Sequence, residues 1–336
     1  MGTLYIDRKD LHIRLDGNAL AFYANGERKG IVPLAPLKRI VIVGQATIET
    51  HVVHRLFREN ISVLFISGKR LRFSGMLQGS GHYNAVLRLR QYGKTLDASF
   101  SLEYARDLVA RKVEGQKALL QAALDRRPDI RLPLFSAIET ITGIRTKITA
   151  AGDMDILRGL EGSSAAAYFS AYTELFPPSL SFTKRVKRPP TDPVNALLSL
   201  GYTLLHWEMV REIQIIGLDP LLGFLHQFEY GRESLACDLV EPFRPAVDRR
   251  VWELFRDRTF TERDFTEGED RPGCYLKKEA RKRYYERYEE WASGQRTLWT
   301  EEVRALARRI NNGQDPVPEG EQRFEGEEGR SLTLDS

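Results

Sequence analysis

Cysteine and long apolar runs are scarce in this sequence. Only Cys237 and Cys274 occur among its 336 residues. Two isolated cysteines make neither a disulfide framework nor a zinc knuckle, so they indicate a reducing, cytoplasmic environment. Charge begins at Asp7, which leaves no room for the apolar stretch of a signal peptide. Because no later run approaches the ~20 apolar residues of a spanning helix, we expect a cytoplasmic protein with no membrane partner.

The signatures of several enzyme classes are also missing. The sequence has no glycine-rich phosphate loop followed by Lys-Ser or Lys-Thr, no dinucleotide-binding fingerprint and no nucleophile elbow. It therefore gives no support to the chemistry that those motifs carry. Its composition, 42% hydrophobic and 29% charged, is that of a globular protein with a substantial core.

Negative charge is concentrated at the carboxyl end. The whole chain carries a formal charge of +4, but residues 313–336 contain seven acidic residues and only two basic ones. That segment has a net charge of minus five, which leaves plus nine on residues 1–312. Because the tail is rich in Gly, Pro and Glu, we predict that it is disordered. The basic body suits nucleic acid or another anionic partner, although a cationic surface without a specific partner accounts for the charge equally well.

Hydrophobic periodicity changes near residue 80. Before that point, short alternating or apolar runs bounded by turn residues predict strands at residues 4–6, 12–15, 20–23, 29–32, 39–43, 62–66 and 73–77, with a helix at 47–59. Beyond it, helical spacing prevails at residues 87–91, 102–123, 155–176, 194–214 and 277–310. We predict an α+β protein with a small, mostly β N-terminal domain (1–80), a larger all-α C-terminal domain (81–312) and the acidic tail (313–336).

One histidine and two carboxylates fall close together in the second half of the chain. His226 follows an apolar run that opens with Asp219-Pro220, a pair typical of a helix start. If the segment that contains them is helical, Asp238 and Glu241 lie three residues apart and share one face. Such a face can hold a cation. A lone histidine beside apolar neighbours can also be a structural residue, and the two acids can be a solvated face.

A further acid, Glu161, lies in a run of small residues. Residues 159–167 are mostly glycine, serine and alanine, so a helix formed by them is narrow. A second helix or DNA could approach its backbone closely on the side of Glu161. From the sequence alone, a close-packed helix crossing with an idle glutamate is the simpler interpretation.

Basic residues cluster between residues 182 and 190, where two prolines forbid regular helix. This predicted extended loop and the segment after Glu241 supply the candidates for DNA binding, which are Lys184, Arg185, Lys187, Arg188 and Arg244. Phosphate contact and a solvated connector explain the loop equally well. Phe182 and the aromatic-basic helix at 277–291 could extend the surface, or that helix could bury its aromatic residues on an ordinary amphipathic face.

Four segments, taken in order, resemble a known family. They read GLEGSSAAAYF, RPPTDPVNALLSLGYTLL, GLDPLLGFLH and SLACDLVEPFRPAVD. In this order and at these intervals they are similar to the signature blocks of the CRISPR-associated endonuclease/integrase, the most widespread protein of spacer acquisition. The N-terminal strand pattern and the Asp264-Phe265 block also fit, so the resemblance covers nearly the whole chain.

The resemblance implies a fold, an activity and partners. Members of the family have an N-terminal β domain, a C-terminal α-helical catalytic domain, a homodimeric assembly and a small ferredoxin-like companion subunit. They insert short pieces of double-stranded DNA into the repeat array by metal-dependent strand transfer from a 3′ hydroxyl. Carried over by position, the catalytic and metal-binding residues are Glu161, His226 and Glu241, and Asp238 matches a further acid of the same block.

These residue types suit phosphodiester transfer. A divalent cation held by carboxylates can neutralise charge on the phosphate oxygens and position the attacking hydroxyl. Oxygen ligands favour Mg2+ or Mn2+, and one imidazole shifts the preference toward Mn2+. Two other functions stay open: a stand-alone metal-dependent nuclease acting on branched or single-stranded DNA, and a non-catalytic DNA-binding scaffold. The sequence cannot separate water from a 3′ hydroxyl as nucleophile, but the intact acids and histidine argue against the scaffold.

Overall fold

Two small sheets and one helix form the amino-terminal part of the protein. The computed structural model describes residues 2–67, 73–79, 84–187, 189–226, 228–268 and 272–314. The elements of this part are β1 (Thr3–Ile6), β2 (Leu11–Asp16), β3 (Ala19–Ala24), β4 (Glu27–Pro33), β5 (Arg39–Val43), β6 (Ala46–Ile48), α1 (Thr50–Arg58), β7 (Ser62–Ile66) and β8 (Phe73–Leu77). Sheet A has the order β1-β5-β7-β8, in which only the β7-β8 pair is antiparallel. Sheet B has the order β4-β3-β2-β6, in which only the β2-β6 pair is parallel.

After Arg39, strand β5 is apolar because both of its faces are covered. Successive side chains of a strand point to opposite faces. Ile40 and Ile42 pack into the core between the two sheets, while Val41 and Val43 belong to the core of the helical part. The same sheet thus closes two cores, which explains why its central strands read as continuous apolar runs.

Helices dominate the rest of the chain. They are α2 (Ala85–Leu96), α3 (Ala98–Leu124), α4 (Arg131–Ile148), α5 (Met154–Thr173), α6 (Pro193–Ile216), α7 (Ser234–Val240), α8 (Arg244–Arg256) and α9 (Lys278–Ile310). A two-stranded hairpin of β9 (Phe265–Glu267) and β10 (Cys274–Leu276) precedes α9. None of the helices that the structure describes is long and apolar enough to span a bilayer.

Helix α6 lies at the centre of the helical part. It begins where Asp192 accepts a hydrogen bond from the backbone N–H of Asn195 at 2.8 Å, with Pro193 in the first turn. It ends at Gly217, whose φ of 96° is the left-handed conformation that glycine adopts without strain. Between these ends, α6 buries residues on most of its circumference, as expected for a helix surrounded by others.

Charged side chains on α6 and α9 connect the helical part to sheet A. Arg39 of β5 donates to Glu208 of α6 at 2.7 Å, and Arg296 of α9 donates to the same carboxylate at 2.9 Å. Arg296 also pairs with Glu289 of its own helix at 2.6 Å. Glu208 is buried, so this network satisfies a charge that would otherwise be costly to remove from water.

Much of this architecture agrees with the sequence prediction. The α+β class is confirmed, and β5, β7 and β8 have the predicted bounds. Helix α9 begins and ends within one residue of its prediction, and its aromatic residues Tyr284 and Tyr288 are buried, as the amphipathic interpretation expects. The change from strands to helices falls between β8 and α2. The division into domains at residue 80 stays a prediction, and the tail from residue 315 lies outside the described residues.

Three details of the prediction were wrong. Strands β6, β9 and β10 and helices α4 and α8 were not predicted, and the helix expected from residue 47 begins at Thr50. No helix starts at Asp219-Pro220. Instead, Asp219 accepts a hydrogen bond from the backbone N–H of Leu221 at 2.9 Å, which forms a local turn that competes with helix. Finally, Phe182 is buried among aromatic rings and does not belong to an exposed DNA-binding surface.

Candidate active site

Two of the predicted site carboxylates meet at one lysine. Glu161 lies on α5, and Glu241 follows directly after α7. The ammonium of Lys112 on α3 contacts Oε1 of Glu161 and lies 2.5 Å from Oε2 of Glu241. Three separate elements therefore bring two negative charges together, and 80 residues of chain separate the two acids.

Glu241 is deeply buried and strongly held in its charged form. It is 5% exposed, and its Oε1 accepts a hydrogen bond from Nε of Arg244 at 2.8 Å. Burial alone would raise the pKa of Glu241, but the positive charges of Arg244 and Lys112 lower it well below its usual value. Lys112 responds in the opposite direction: burial lowers its pKa, but the two carboxylates raise it above its usual value. The carboxylate and the ammonium are thus both charged at neutral pH.

A buried aspartate shapes the loop that carries His226. Asp238 is fully buried, and its Oδ2 accepts hydrogen bonds from the backbone N–H groups of Phe224 and Leu225 at 2.5 and 2.9 Å. Its Oδ1 accepts from the backbone N–H of His226 at 3.0 Å and lies 2.6 Å from Nδ1 of the imidazole. A carboxylate on Nδ1 fixes the ring orientation and leaves Nε2 as the nitrogen available to a metal ion.

Gly223 is required for this close approach of loop and helix. A Cβ at position 223 would lie 2.6 Å from Oδ2 of Asp238 and 2.9 Å from the carbonyl oxygen of Ser234. Both distances are far below van der Waals contact. The loop can therefore reach Asp238 only because residue 223 has no side chain.

The loop is also tied to the helix that carries Glu161. Arg158, one turn before Glu161, donates a hydrogen bond to the carbonyl oxygen of Leu225 at 2.9 Å. Leu225 directly precedes His226, whose ring is 25% exposed. The imidazole of His226 is also near enough to Glu241 to contribute to the lowering of the pKa of Glu241. Glu161, Glu241 and the imidazole therefore belong to one neighbourhood, although Asp238 faces the loop and not the two glutamates.

The donor set fits a divalent cation, although the ligands are not arranged around a common point. Among the described residues, no group of three or more His, Cys, Asp or Glu side chains is placed to hold a metal ion. Oε2 of Glu241 is buried, and the group that lies against it is a cation, the Lys112 ammonium at 2.5 Å. Two carboxylates that already share a cation, with an imidazole nearby, have the chemistry that Mg2+ or Mn2+ requires.

The remaining basic candidates differ in what their charges contact. Arg185 donates to the side chain of Asn195 and to the backbone carbonyl of Val186, both at 2.7 Å, so its guanidinium supports the loop from inside. Lys184 and Lys187 are exposed, and Arg188 lies outside the described residues. Although the residue is largely exposed, loss of part of the solvent around its ammonium and repulsion from Arg244 lower the pKa of Lys187. Such a position favours an anion.

A second buried carboxylate lies behind Arg244. Asp248 on α8 accepts hydrogen bonds from the hydroxyl of Tyr168 at 2.9 Å and from that of Tyr202. Burial raises the pKa of Asp248 to about 6. The guanidinium groups of Arg244 and Arg185 lie 4.6 and 5.5 Å from the centre of the Tyr202 ring. This layer restrains Arg244 and therefore the carboxylate that Arg244 binds.

One face of α5 beside Glu161 is open. A Cβ at Gly159 or Gly162 would meet no other atom within 4 Å, so these glycines are not packed against a second helix. The crossing with α3 occurs on another side, where Ser164 donates to Gln116 at 3.2 Å. The small residues allowed either a close-packed helix crossing or an open face beside Glu161. The two glycines belong to the open face, and the crossing with α3 uses other residues.

Sequence reasoning missed Lys112. The signal was available, because Lys112 and Gln116 interrupt the otherwise apolar stripe of α3 that contains Leu108 and Leu119. A lysine at a core position needs a buried partner. Its partners lie 49 and 129 residues further along the chain, and no local pattern identifies them.

Comparisons with known proteins found relatives that match the part of the chain containing all the candidate site residues. The family model described as CRISPR associated protein Cas1 matches residues 4–290. The CRISPR-associated endonuclease Cas1 1 of Thermodesulfovibrio yellowstonii is 51% identical over 318 residues, which are 94% of this chain and 99% of that protein. A solved structure of a CAS1 protein from Thermotoga maritima has a TM-score of 0.80 at 25% identity, over 98% of this chain and 100% of that one. A casposase bound to integration product has the same fold, with a TM-score of 0.80 at 22% identity over 97% and 96% of the two chains.

Proposed function

Since the chain belongs to the Cas1 family, we propose that it is a metal-dependent DNA endonuclease and integrase that inserts short DNA fragments into a CRISPR repeat array by 3′-OH strand transfer. The observation that carries this proposal is the meeting of Glu161 and Glu241 at one cation beside the His226 loop. Both glutamates contact the buried Lys112 ammonium, so a cation already lies between them. Their convergence from two helices is explained by a shared cation.

We assign the metal-binding role to Glu161, His226 and Glu241. Bound there, Mg2+ or Mn2+ supplies a Lewis acid that polarises the scissile phosphate and lowers the pKa of the attacking hydroxyl. Asp238 binds Nδ1 of the imidazole, so that Nε2 is the nitrogen left for the metal ion. Arg244 holds Glu241 in its charged form, which is the form that binds a cation.

Other groups of the site act on the DNA. The exposed Lys184 and Lys187 neutralise phosphates next to the reacting one. The open face of α5 at Gly159 and Gly162 gives a DNA backbone access to Glu161 without a side chain in between. The casposase that shares this fold is bound to an integration product, so the fold accommodates the product of strand transfer.

We further propose the partners that the family implies. The substrates are double-stranded DNA, as spacer precursor and as repeat array. The protein acts as a homodimer together with a small ferredoxin-like companion subunit. Sheet A and sheet B both have edge strands that can pair across a two-fold axis, which is one way for the N-terminal parts to associate.

A strand-transfer assay tests the proposal. Purified protein is incubated with a short duplex bearing free 3′ ends and a supercoiled plasmid containing the repeat, with Mn2+, Mg2+ or chelator. We expect joined products with either ion and none with chelator. Because loss of a metal ligand costs more than the ~10 to 100-fold typical of an outer-shell change, Glu161→Ala and His226→Ala should abolish joining. Glu174→Ala, at the exposed end of α5, is the matched control and should join normally.

The same assay separates the alternatives. Nicked plasmid or cleaved branched DNA without joined product would identify a stand-alone nuclease. DNA binding without any metal-dependent product, and unchanged in Glu161→Ala, would identify a non-catalytic scaffold. Joining by His226→Ala at a near-normal rate would refute the assignment of the site.

A further inference from the structure

We propose that Lys112 competes with the divalent cation for Glu161 and Glu241, and that cation binding transfers the Lys112 ammonium to a phosphate of bound DNA. This inference rests on the proposed function, because it takes the two glutamates to be cation ligands. It adds a residue that neither the sequence motifs nor the metal assignment contains. Lys112 then couples metal binding to DNA binding.

Lys112 is buried between the two carboxylates. The residue is 7% exposed, and its ammonium contacts both carboxylates. A buried lysine is tolerated only when it is paired, and here the pairing uses the same two oxygens that a cation would need. Oε1 of Glu241 is already occupied by Arg244, so Oε2, the oxygen next to Lys112, is the one that remains for a cation.

The charges between α3, α5 and Glu241 are already balanced when Lys112 is in place. Lys112 and Arg244 together neutralise Glu161 and Glu241. A divalent cation on the same oxygens brings two further positive charges within a few ångströms of the ammonium, in a poorly hydrated place where repulsion is strong. The ammonium and the divalent cation therefore exclude each other from the space between the carboxylates.

The Lys112 side chain can move without loss of the crossing between α3 and α5. Gln116, one turn after Lys112, accepts the buried hydrogen bond of Ser164, one turn after Glu161. That bond keeps α3 and α5 in contact when the lysine leaves. The lysine side chain is a flexible four-carbon stem, so its ammonium can move while its backbone stays.

The destination of the ammonium follows from the charges around it. Lys187, Arg244 and Arg185 also contribute positive potential to this region. Arg244 and Arg185 are restrained by the Tyr202 ring and by their own hydrogen bonds. Once a divalent cation occupies the carboxylates, the released Lys112 leaves a surplus of positive charge that an anion can balance. In the proposed reaction that anion is the phosphate of the DNA next to the bound cation.

Calorimetric titration of Mn2+ into Lys112→Met provides the main test. We expect the variant to bind Mn2+ at least about tenfold more tightly than wild type, because the competing charge is gone. Mn2+ should strengthen DNA binding by wild type, and this gain should be largely lost in Lys112→Met. Strand transfer should fall although metal affinity rises. Lys117→Met, on the same helix, is the control and should change neither affinity.

Labelling of the wild-type protein tests the same inference if Lys112→Met does not fold. Acylation of lysine is followed by peptide mass spectrometry with and without Mn2+. We expect Mn2+ to accelerate labelling of Lys112 and to leave Lys117 unchanged.

The failures are distinguishable. If Glu161→Gln and Glu241→Gln bind Mn2+ as wild type does, the proposed metal site is wrong. If those variants lose Mn2+ but Lys112→Met binds it no more tightly, or Mn2+ does not accelerate labelling of Lys112, only the competition is refuted. If Lys112 is purely structural, Lys112→Met should lower both metal affinity and activity, and this result would also overturn the inference.

Discussion

Asp238→Asn is the change that most directly tests how the site is built. The substitution keeps size and shape but replaces one carboxylate oxygen with an NH2 group, which donates and cannot accept. Asp238 serves four donors, three backbone N–H groups on Oδ2 and Oδ1 and the Nδ1 of His226. Whichever way the new amide turns, two of these donors face another donor.

The magnitude follows from that count. Each buried donor left without an acceptor costs about 1–3 kcal/mol, so the two donors lower the free energy of unfolding by about 2–6 kcal/mol. This is a large share of the roughly 5–15 kcal/mol that holds a typical protein folded. Because the imidazole also loses its anchor, we expect Mn2+ affinity to fall about 10 to 100-fold, as for other partners of metal-binding histidines.

Hydrogen exchange, thermal denaturation and Mn2+ titration together measure the effect. We expect faster exchange at the amides of residues 224–226, a lower Tm and weaker Mn2+ binding. The control is Glu229→Gln, in the same loop region, because Glu229 is 64% exposed and its ion pair with Arg232 at 3.1 Å contributes at most about 1 kcal/mol.

Two results would refute the reasoning. Asp238→Asn with wild-type exchange, Tm and Mn2+ affinity would mean that the carboxylate does not hold the loop. Loss of Mn2+ binding with unchanged exchange at residues 224–226 would mean that Asp238 is itself a ligand and not the support of one.

Three further predictions concern the same region. Gly223→Ala should lower both Tm and strand transfer, because its Cβ would overlap Asp238; calorimetry and the joining assay measure this, and a wild-type Tm would contradict it. The pKa of Asp248 is raised by burial from 3.8 to about 6, so its ionisation removes stability as pH rises through that range. The unfolding free energy of Asp248→Asn relative to wild type should therefore increase by about 2 kcal/mol from pH 4.5 to pH 7.5, and a pH-independent difference would contradict the shift. Finally, Mn2+ at a hundredfold excess over its Kd should stabilise the protein by about 2.7 kcal/mol, chelator should reverse this, and Glu161→Gln should not respond.

The sequence predicts the elements of this fold better than their contacts. Strands β5 and β7 were predicted with their observed bounds because they are continuous apolar runs between turn residues. The helix start predicted at Asp219-Pro220 was wrong because an aspartate that can cap a helix can also accept a hydrogen bond from its own backbone and form a turn. Hydrophobic periodicity determines where an element lies, but competing local hydrogen bonds decide what a polar segment does.

The candidate site shows the same division. From spacing alone, Glu161, His226 and Glu241 could each be ordinary structural or solvated residues. Only the resemblance to a family identified them as candidate site residues. Lys112 was missed because its significance lies entirely in partners that are far away in the chain. The sequence could not separate the role of Asp238 from that of Glu241 either, because the two acids are only three residues apart. In the structure, the carboxylate of Asp238 contacts the loop and that of Glu241 contacts Lys112.

Sheet A limits how this molecule can be dissected. Val41, Val43, Leu64 and Ile66 line the core of the helical part, while their strand neighbours Ile40, Ile42 and Val63 line the other core. A fragment that starts after residue 80 would keep every residue assigned to catalysis but would lack the strands of sheet A that cover one side of its hydrophobic core. The exposed apolar surface would invite aggregation, so the helical half needs the strands of sheet A to cover its core.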